Sequence, residues 1–264
     1  MSLRSTFGAG AGRPGPEPSA LSSDAWYTLI YLAPARRQEL HRARRRVWLA
    51  PLLRAGLGRP EAVGLLERLD AWKRACESRG RTPTLPEQVA WLAGRAGRPL
   101  PDDGIYAELD QVLLRSGVRP APDAARVLRT LSDRGVRLAV VSNVTNESPT
   151  AARTVLDRAG LLPLFETVYL SSEHPWSKPR PEPFCQVAGF LGVSPRSMVH
   201  VGDLTYDLRG AHRAGAAAVL FTGYARWNRF LPGAPPASLR RRVPSASRWT
   251  EVLAQWPFAP SRGS

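Results

Sequence analysis

Asp24, Ser142 with Asn143, Lys178, and Asp203 with Asp207 are the residues of this 264-residue chain whose types and positions could carry chemistry. Asp24 closes "ALSSD", Ser142 and Asn143 close "LAVVSN", and Lys178 sits in "SKPRPEPF", shortly after "FETVYL". Asp203 and Asp207 belong to "VHVGDLTYD". Carboxylates, a hydroxyl–amide pair and one amine, if gathered, could do nucleophilic or charge-neutralising work. Taken singly, each has an ordinary explanation. Asp203 could cap a helix, Ser142–Asn143 could make a turn, Asp207 could favour a helix dipole, and Lys178 could be a surface lysine. Their succession, each set behind a short apolar run, singles them out, because ligands of an open parallel sheet sit beyond the carboxyl ends of its strands.

The elements that must position them follow from periodicity and punctuation. From Pro120 onward, "VRLAVVS", "FETVYL", "SMVHVGD" and "AAVLFTG" alternate with the helical stretches "DAARVLRTLSDRG", "PTAARTVLDRAG", "PEPFCQVAGFLG" and "DLRGAHRAG". Short apolar strands alternating with helices predict an α/β fold whose parallel sheet is covered on both faces. Residues 34–118 lack strand character. Four helical stretches are read there, 34–56, 59–80, 84–97 and 102–117, with Pro60 and Asp102 marking starts and a glycine closing each. The expected organisation is a disordered leader over 1–19, an α/β core over 20–33 and 119–264, and a helical insertion over 34–118. "LPGAPPASLRRRVPSAS" reads as a loop before a last helix around "WTEVLAQW".

With these motifs in place, the sequence resembles the haloacid dehalogenase-like hydrolases over about residues 20 to 225. The signposts are "DAWYTL", "LAVVSN", "SKPRPEPF" and "VHVGDLTYDLRGAHRAG". The resemblance implies a Rossmann-like core of strand order 5-4-1-2-3, with the insertion as a helical cap. It also implies roles. Asp24 is the nucleophile of an aspartyl-enzyme intermediate, Thr28 orients the reacting group, and Ser142 and Asn143 bind the substrate. Lys178 neutralises charge, and Asp203 with Asp207, Asp24 and the Trp26 main-chain carbonyl hold Mg²⁺. Oxygen donors without a His/Cys cluster favour Mg²⁺ over zinc. Carboxylates ~4 Å apart repel by about 4 kcal/mol at an effective dielectric near 20, so such a set needs cations.

Trp26 is the departure. The family's phosphatases carry a second aspartate two residues after the nucleophile, as general acid/base, and an indole cannot replace it. Positioned proton transfer is worth roughly 10² to 10⁴ in rate. Tyr27 also stands where the family usually has glycine. The first expectation is a Mg²⁺-dependent phosphatase of a small phosphorylated metabolite. The alternatives are a metal-free carbon–halogen hydrolase, which the intact Gly202–Asp203 and Asp207 speak against, and an impaired member kept as a binding protein. Lys73, the one lysine of the insertion, lies in "DAWKRACES" and reads as exposed.

Composition excludes other classes. Lysine plus arginine number 37 against 22 acids, a formal charge of +15, yet the cations are almost all arginine and scattered. The densest run, "RRQELHRARRR" at 36–46, lacks the interleaved aromatics of a single-strand binder, so it reads as a solvated helix face and no nucleic-acid partner is expected. No apolar run approaches the roughly 20 residues of a membrane span. Two cysteines without metal spacing, Cys76 and Cys185, fit a reducing compartment. A cytoplasmic enzyme with a small-molecule substrate is expected.

Overall fold

The structure is a computed structural model that describes residues 18–101, 104–225, 235–236 and 243–256. The expected leader up to residue 17, the helix start at Asp102 and most of the loop 231–247 lie outside the described residues.

Among the described residues, eight strands occur: β1 (Ala20–Ser23), β2 (Ile30–Tyr31), β3 (Arg119–Pro120), β4 (Arg137–Ser142), β5 (Thr167–Leu170), β6 (Met198–Gly202), β7 (Ala217–Phe221) and β8 (Ser245–Ala246). Six of them form one sheet in the order β5-β4-β1-β6-β7-β8, every pair parallel. Counted in chain order among the core strands, this is the expected 5-4-1-2-3, extended by β8 at the edge. β1 lies between β4 and β6, with Ser23 level with Val140 on one side and Val201 on the other. Residues just beyond these three strands therefore share one crevice.

Both faces of the sheet are apolar because side chains alternate along each strand. Leu21, Leu138, Val140, Val199 and Val201 bury one face beneath α5 (Ala124–Asp133), α6 (Pro149–Arg158) and α9 (Trp249–Ala254). Ala20, Ala139, Val141 and Met198 bury the other beneath α7 (Glu182–Phe190) and α8 (Thr205–Ala214). Each fully buried Leu, Val or Met among them contributes about 1.5–3 kcal/mol.

Between β2 and β3 lie α1 (Pro34–Arg54), α2 (Arg59–Ser78), α3 (Leu85–Ala96) and α4 (Ile105–Leu114). They enclose their own core, which includes Trp48, Leu52, Leu65, Leu69, Leu92 and Leu109. A capping box of Thr84 and Glu87 starts α3. β2 and β3 pair antiparallel, Ile30 opposite Pro120, so the two chain passages into and out of the helical insertion are bonded side by side. β3 carries no strand signal in the sequence. Pro120 is tolerated because this two-residue ribbon has only edges. Among the described residues, no helix is long and apolar enough to cross a membrane.

Candidate active site

Asp24 directly follows β1, and its main-chain N–H is bonded to the Val201 carbonyl at 2.9 Å. Ser142 ends β4, and Asp203 directly follows β6. Asp207 lies in the first turn of α8, and Gly202 is what lets it come so close. A Cβ on Gly202 would stand 2.3 Å from the Asp207 Cγ. The loop after β5 brings in Lys178, held by Asn143: the Asn143 side chain donates to the Lys178 carbonyl and accepts from the Lys178 N–H, both at 3.0 Å.

The ammonium of Lys178 donates to Asp24 Oδ1 at 2.5 Å and to Asp207 Oδ1 at 2.6 Å. All three side chains are buried. Asp207 also meets His200 Nε2 at 3.2 Å and accepts from the Leu204 N–H at 2.8 Å. His200 reaches Ser22 Oγ through Nδ1 at 2.9 Å. An ionised Asp207 only accepts, so Nε2 of His200 carries the proton and Nδ1 accepts from the Ser22 hydroxyl. A chain of hydrogen bonds thus runs Ser22–His200–Asp207–Lys178–Asp24.

The electrostatics follow from burial opposed by contact. Burial pushes the Asp24 carboxyl up to about 6, with Asp207 adding and Lys178 and Ser142 opposing. For Asp207, burial is outweighed by Lys178 and His200, which hold it well below the carboxylate range. For Lys178, burial is outweighed by Asp207 and Asp24, so its ammonium stays charged. Burial lowers His200 despite Asp207. One cation thus holds two carboxylates together. Lys178→Met is expected to destabilise the protein by about 3–5 kcal/mol, read from urea midpoints, because it leaves buried charge uncompensated. A loss under about 1 kcal/mol would contradict this picture.

Asp24, Trp26, Asn143, Lys178, Asp203 and Asp207 all line one cavity of about 410 Å³ between the sheet and the helical insertion. Thr28 and Ser142 are fully buried and are not among its lining residues. The Thr28 carbonyl accepts from the Trp249 indole at 2.9 Å, and its hydroxyl has no hydrogen-bond partner. The Ser142 hydroxyl also lacks one, although it lies near enough to Asp24 to lower that carboxyl. Trp26, half-buried, donates from Nε1 to Glu147 Oε1 at 3.3 Å. Glu147 Oε2 in turn accepts from Arg44 of α1 at 2.6 Å. Tyr27 is buried with a positive φ of 55°, a conformation that costs a non-glycine residue about 1–2 kcal/mol. Its ring meets Tyr224 edge-on and lies under the Arg37 guanidinium.

The loop after β4 is tied to the insertion residue by residue. Gln88 donates to the Thr145 carbonyl at 2.6 Å, Lys73 to Asn146 Oδ1 at 2.6 Å, and the Ser148 N–H to Asp110 at 2.8 Å. Lys73, expected at the surface, is buried and lines the cavity. The run 36–46 is likewise not wholly a solvated face. Arg36, Arg42 and Arg46 are exposed, but Arg37, His41, Arg44 and Arg45 line the cavity. The signal was available: 37, 41, 44 and 48 fall on one side of a helix. Glu147 carries no signal in the sequence, and His200 is marked only as a lone polar side chain inside the apolar "MVHVG".

A family model described as haloacid dehalogenase-like hydrolase matches residues 20–215. A phosphoglycolate phosphatase of Pasteurella multocida is 32% identical over 143 residues, 52% of this chain and 62% of that one. The chain thus spans less than two thirds of that curated relative's length. The solved structure of a phosphatase from Thermococcus onnurineus superposes with a TM-score of 0.59 at 21% identity, covering 89% of this chain and 96% of the other. An L-2-haloacid dehalogenase from Xanthobacter autotrophicus, with chloropropionic acid covalently bound, gives 0.53 at 20% identity over 90% and 97%. Structural likeness at these identities shows the fold alone and spans both chemistries.

Proposed function

This chain belongs to the haloacid dehalogenase-like hydrolases, and on that premise we propose that it is a Mg²⁺-dependent phosphatase acting on a small phosphorylated metabolite. The observation that carries the reading is the buried Asp24–Lys178–Asp207 set, which opens with Asp203 onto one cavity. The phosphoglycolate phosphatase likeness supports the substrate class.

Asp24 attacks phosphorus, the bond to the leaving oxygen breaks, and a phosphoryl group is left on the carboxylate. Water then attacks that phosphorus, releasing phosphate and restoring Asp24. Lys178 offsets the negative charge of the approaching phosphoryl group. The Ser142 hydroxyl, buried without a partner next to Asp24, suits a phosphoryl oxygen. Asn143 holds the Lys178 loop in place. The helical insertion serves as a cap that excludes water.

The residues fit a hard divalent cation by donor type, since the Asp24 and Asp203 carboxylates offer only oxygen and Trp26, which lines the same cavity, would add its main-chain carbonyl. Among the described residues, no three His, Cys, Asp or Glu side chains form a ready-made metal cluster. Both oxygens of Asp207 are already engaged. Asp24 and Asp203 would therefore hold Mg²⁺, with Asp207 orienting Lys178. When bound, the ion supplies positive charge beside the phosphoryl oxygens.

Phosphate release from p-nitrophenyl phosphate, with and without EDTA, tests the proposal alongside halide release from a 2-haloacid. Phosphate release that stops in EDTA and returns with Mg²⁺ is expected. Chelator-insensitive halide release with no phosphate release would replace this reading with carbon–halogen hydrolysis.

A further inference from the structure

The cavity has two charge centres. On its floor, Asp24, Lys178 and Asp207 act on one another. On the cap wall, the charged groups acting on Lys73 are Asp70, Glu77 and Arg44, all from the insertion. Five cap cations line the cavity, Lys73 and four arginines, against two cap acids, Asp70 and Glu77, and Glu147 of the loop after β4, which is bonded to Arg44. Burial also raises the Glu77 carboxyl, and its nearest polar partner is the Thr145 hydroxyl. The wall is therefore more positive than its own acids can balance.

Three of these cations keep donors to spare. Lys73, 8% exposed, gives Nζ to Asn146 Oδ1 at 2.6 Å and to Asp70 Oδ1 at 3.4 Å, leaving one of its three protons. Arg44 is fixed to Glu147 at 2.6 Å, and its Nε is buried with no partner. Arg74 is exposed, with Glu77 the acid its charge acts on, and no hydrogen bond to a described residue holds its guanidinium. Arg44 lies on α1 and the consecutive Lys73 and Arg74 on the neighbouring α2, with the Lys73 and Arg44 side chains tied down by Asn146 and Glu147 of the loop after β4. A held ammonium beside a held guanidinium is suited to an anion.

We propose that the cap wall is a second anion-binding site, built by Lys73, Arg44 and Arg74, which takes a carboxylate or second phosphate at the far end of the substrate. The inference rests on the phosphatase reading and deepens it: the metabolite carries a negative group at each end. The phosphoryl end meets the floor, where Lys178 is already placed between the carboxylates. The other end meets the wall. A cavity of about 410 Å³ lies within the range of small-molecule sites, with room for both groups.

The test compares kcat/KM for three ester series of two to four carbons: ω-phosphooxy carboxylates, α,ω-bisphosphates and ω-hydroxyalkyl phosphates. Wild type, Lys73→Met and Arg74→Gln are assayed side by side. Hydrogen bonds to charged groups predict an advantage of about 10² for an anionic over a neutral tail in the wild type. That advantage is expected to fall below about tenfold in Lys73→Met, and by about threefold to tenfold in Arg74→Gln, an exposed change that spares folding. Whichever anionic series leads identifies the group. Equal rates for neutral and anionic tails, or a preference that survives both substitutions, overturns the proposal. Should none of the esters turn over, the phosphatase reading fails. Calorimetry then decides the site alone: phosphonoacetate binding more tightly than methylphosphonate, and losing that edge in Lys73→Met, supports it, whereas equal binding overturns it.

Discussion

Asp24→Asn is expected to lower kcat for p-nitrophenyl phosphate by at least about 10⁴, leaving a folded protein. The amide has nearly the shape of the carboxylate, and its oxygen can still accept from Lys178, but it cannot take up a phosphoryl group. Stability should not suffer. Burial pushes the Asp24 carboxyl up to about 6, so its ionised form is disfavoured in the folded protein relative to the unfolded chain. The sign follows from proton counting: between the ordinary carboxylate value and about 6 the folded state binds more protons, so this group makes the protein less stable as pH rises through that window. A neutral amide removes that cost. At pH 7.5 in EDTA, the variant's Tm is therefore expected at or above that of the wild type. A variant that folds and keeps more than a few per cent of kcat would remove Asp24 from the chemistry.

The second large effect runs the other way. Trp26→Asp should raise kcat for an alkyl phosphate by about 10² to 10⁴, the ordinary worth of positioned proton transfer. The gain should be far smaller for p-nitrophenyl phosphate, whose leaving group departs without a proton. This contrast separates restored acid catalysis from a general improvement. The native indole does different work, since it donates to Glu147, which is bonded to Arg44 of α1. Trp26 thus makes a contact that links the loop after β1 to α1 of the insertion. Losing that contact should weaken the protein by about 1–3 kcal/mol, so rates are compared well below the melting transition. No gain with the alkyl ester would mean that the remaining groups cannot use an acid at this position.

Much of the fold is legible in the sequence, because "RLAVVS" and "MVHVG" are short, mainly apolar runs between helical stretches, as a sheet covered on both faces requires. Glycines close the helices at Gly97 and Gly215, both in the left-handed region. The exceptions have physical causes. β1, "ALSS", has weak strand propensity and is held by its place between β4 and β6, with Ser22 spent on His200 and Ser23 on the Asp24 carbonyl. β2 and β3 form because two chain passages must lie together, which no local pattern records.

The site was legible where one residue type follows one strand, and illegible where charge faces inward. Arg37, His41 and Arg44 share a helix face with buried Trp48, and Asp70, Lys73 and Glu77 continue the face of buried Leu66 and Leu69. A charged residue on such a face looks like solvent exposure until the facing wall is known. Only the fold shows that this wall is a cavity. Burial in a hydrogen-bonded setting then follows, as for Lys73 with Asn146.

The central claim is that the Asp24 carboxylate itself carries the phosphoryl group. Acid quenching during turnover of p-nitrophenyl phosphate with Mg²⁺, followed by peptide mass spectrometry, reads it directly. The account predicts one phosphoryl group on the peptide containing Asp24, at that residue, and none in Asp24→Asn. Steady phosphate release with that peptide unmodified at every quench time, or a phosphoryl group on another residue, would contradict it.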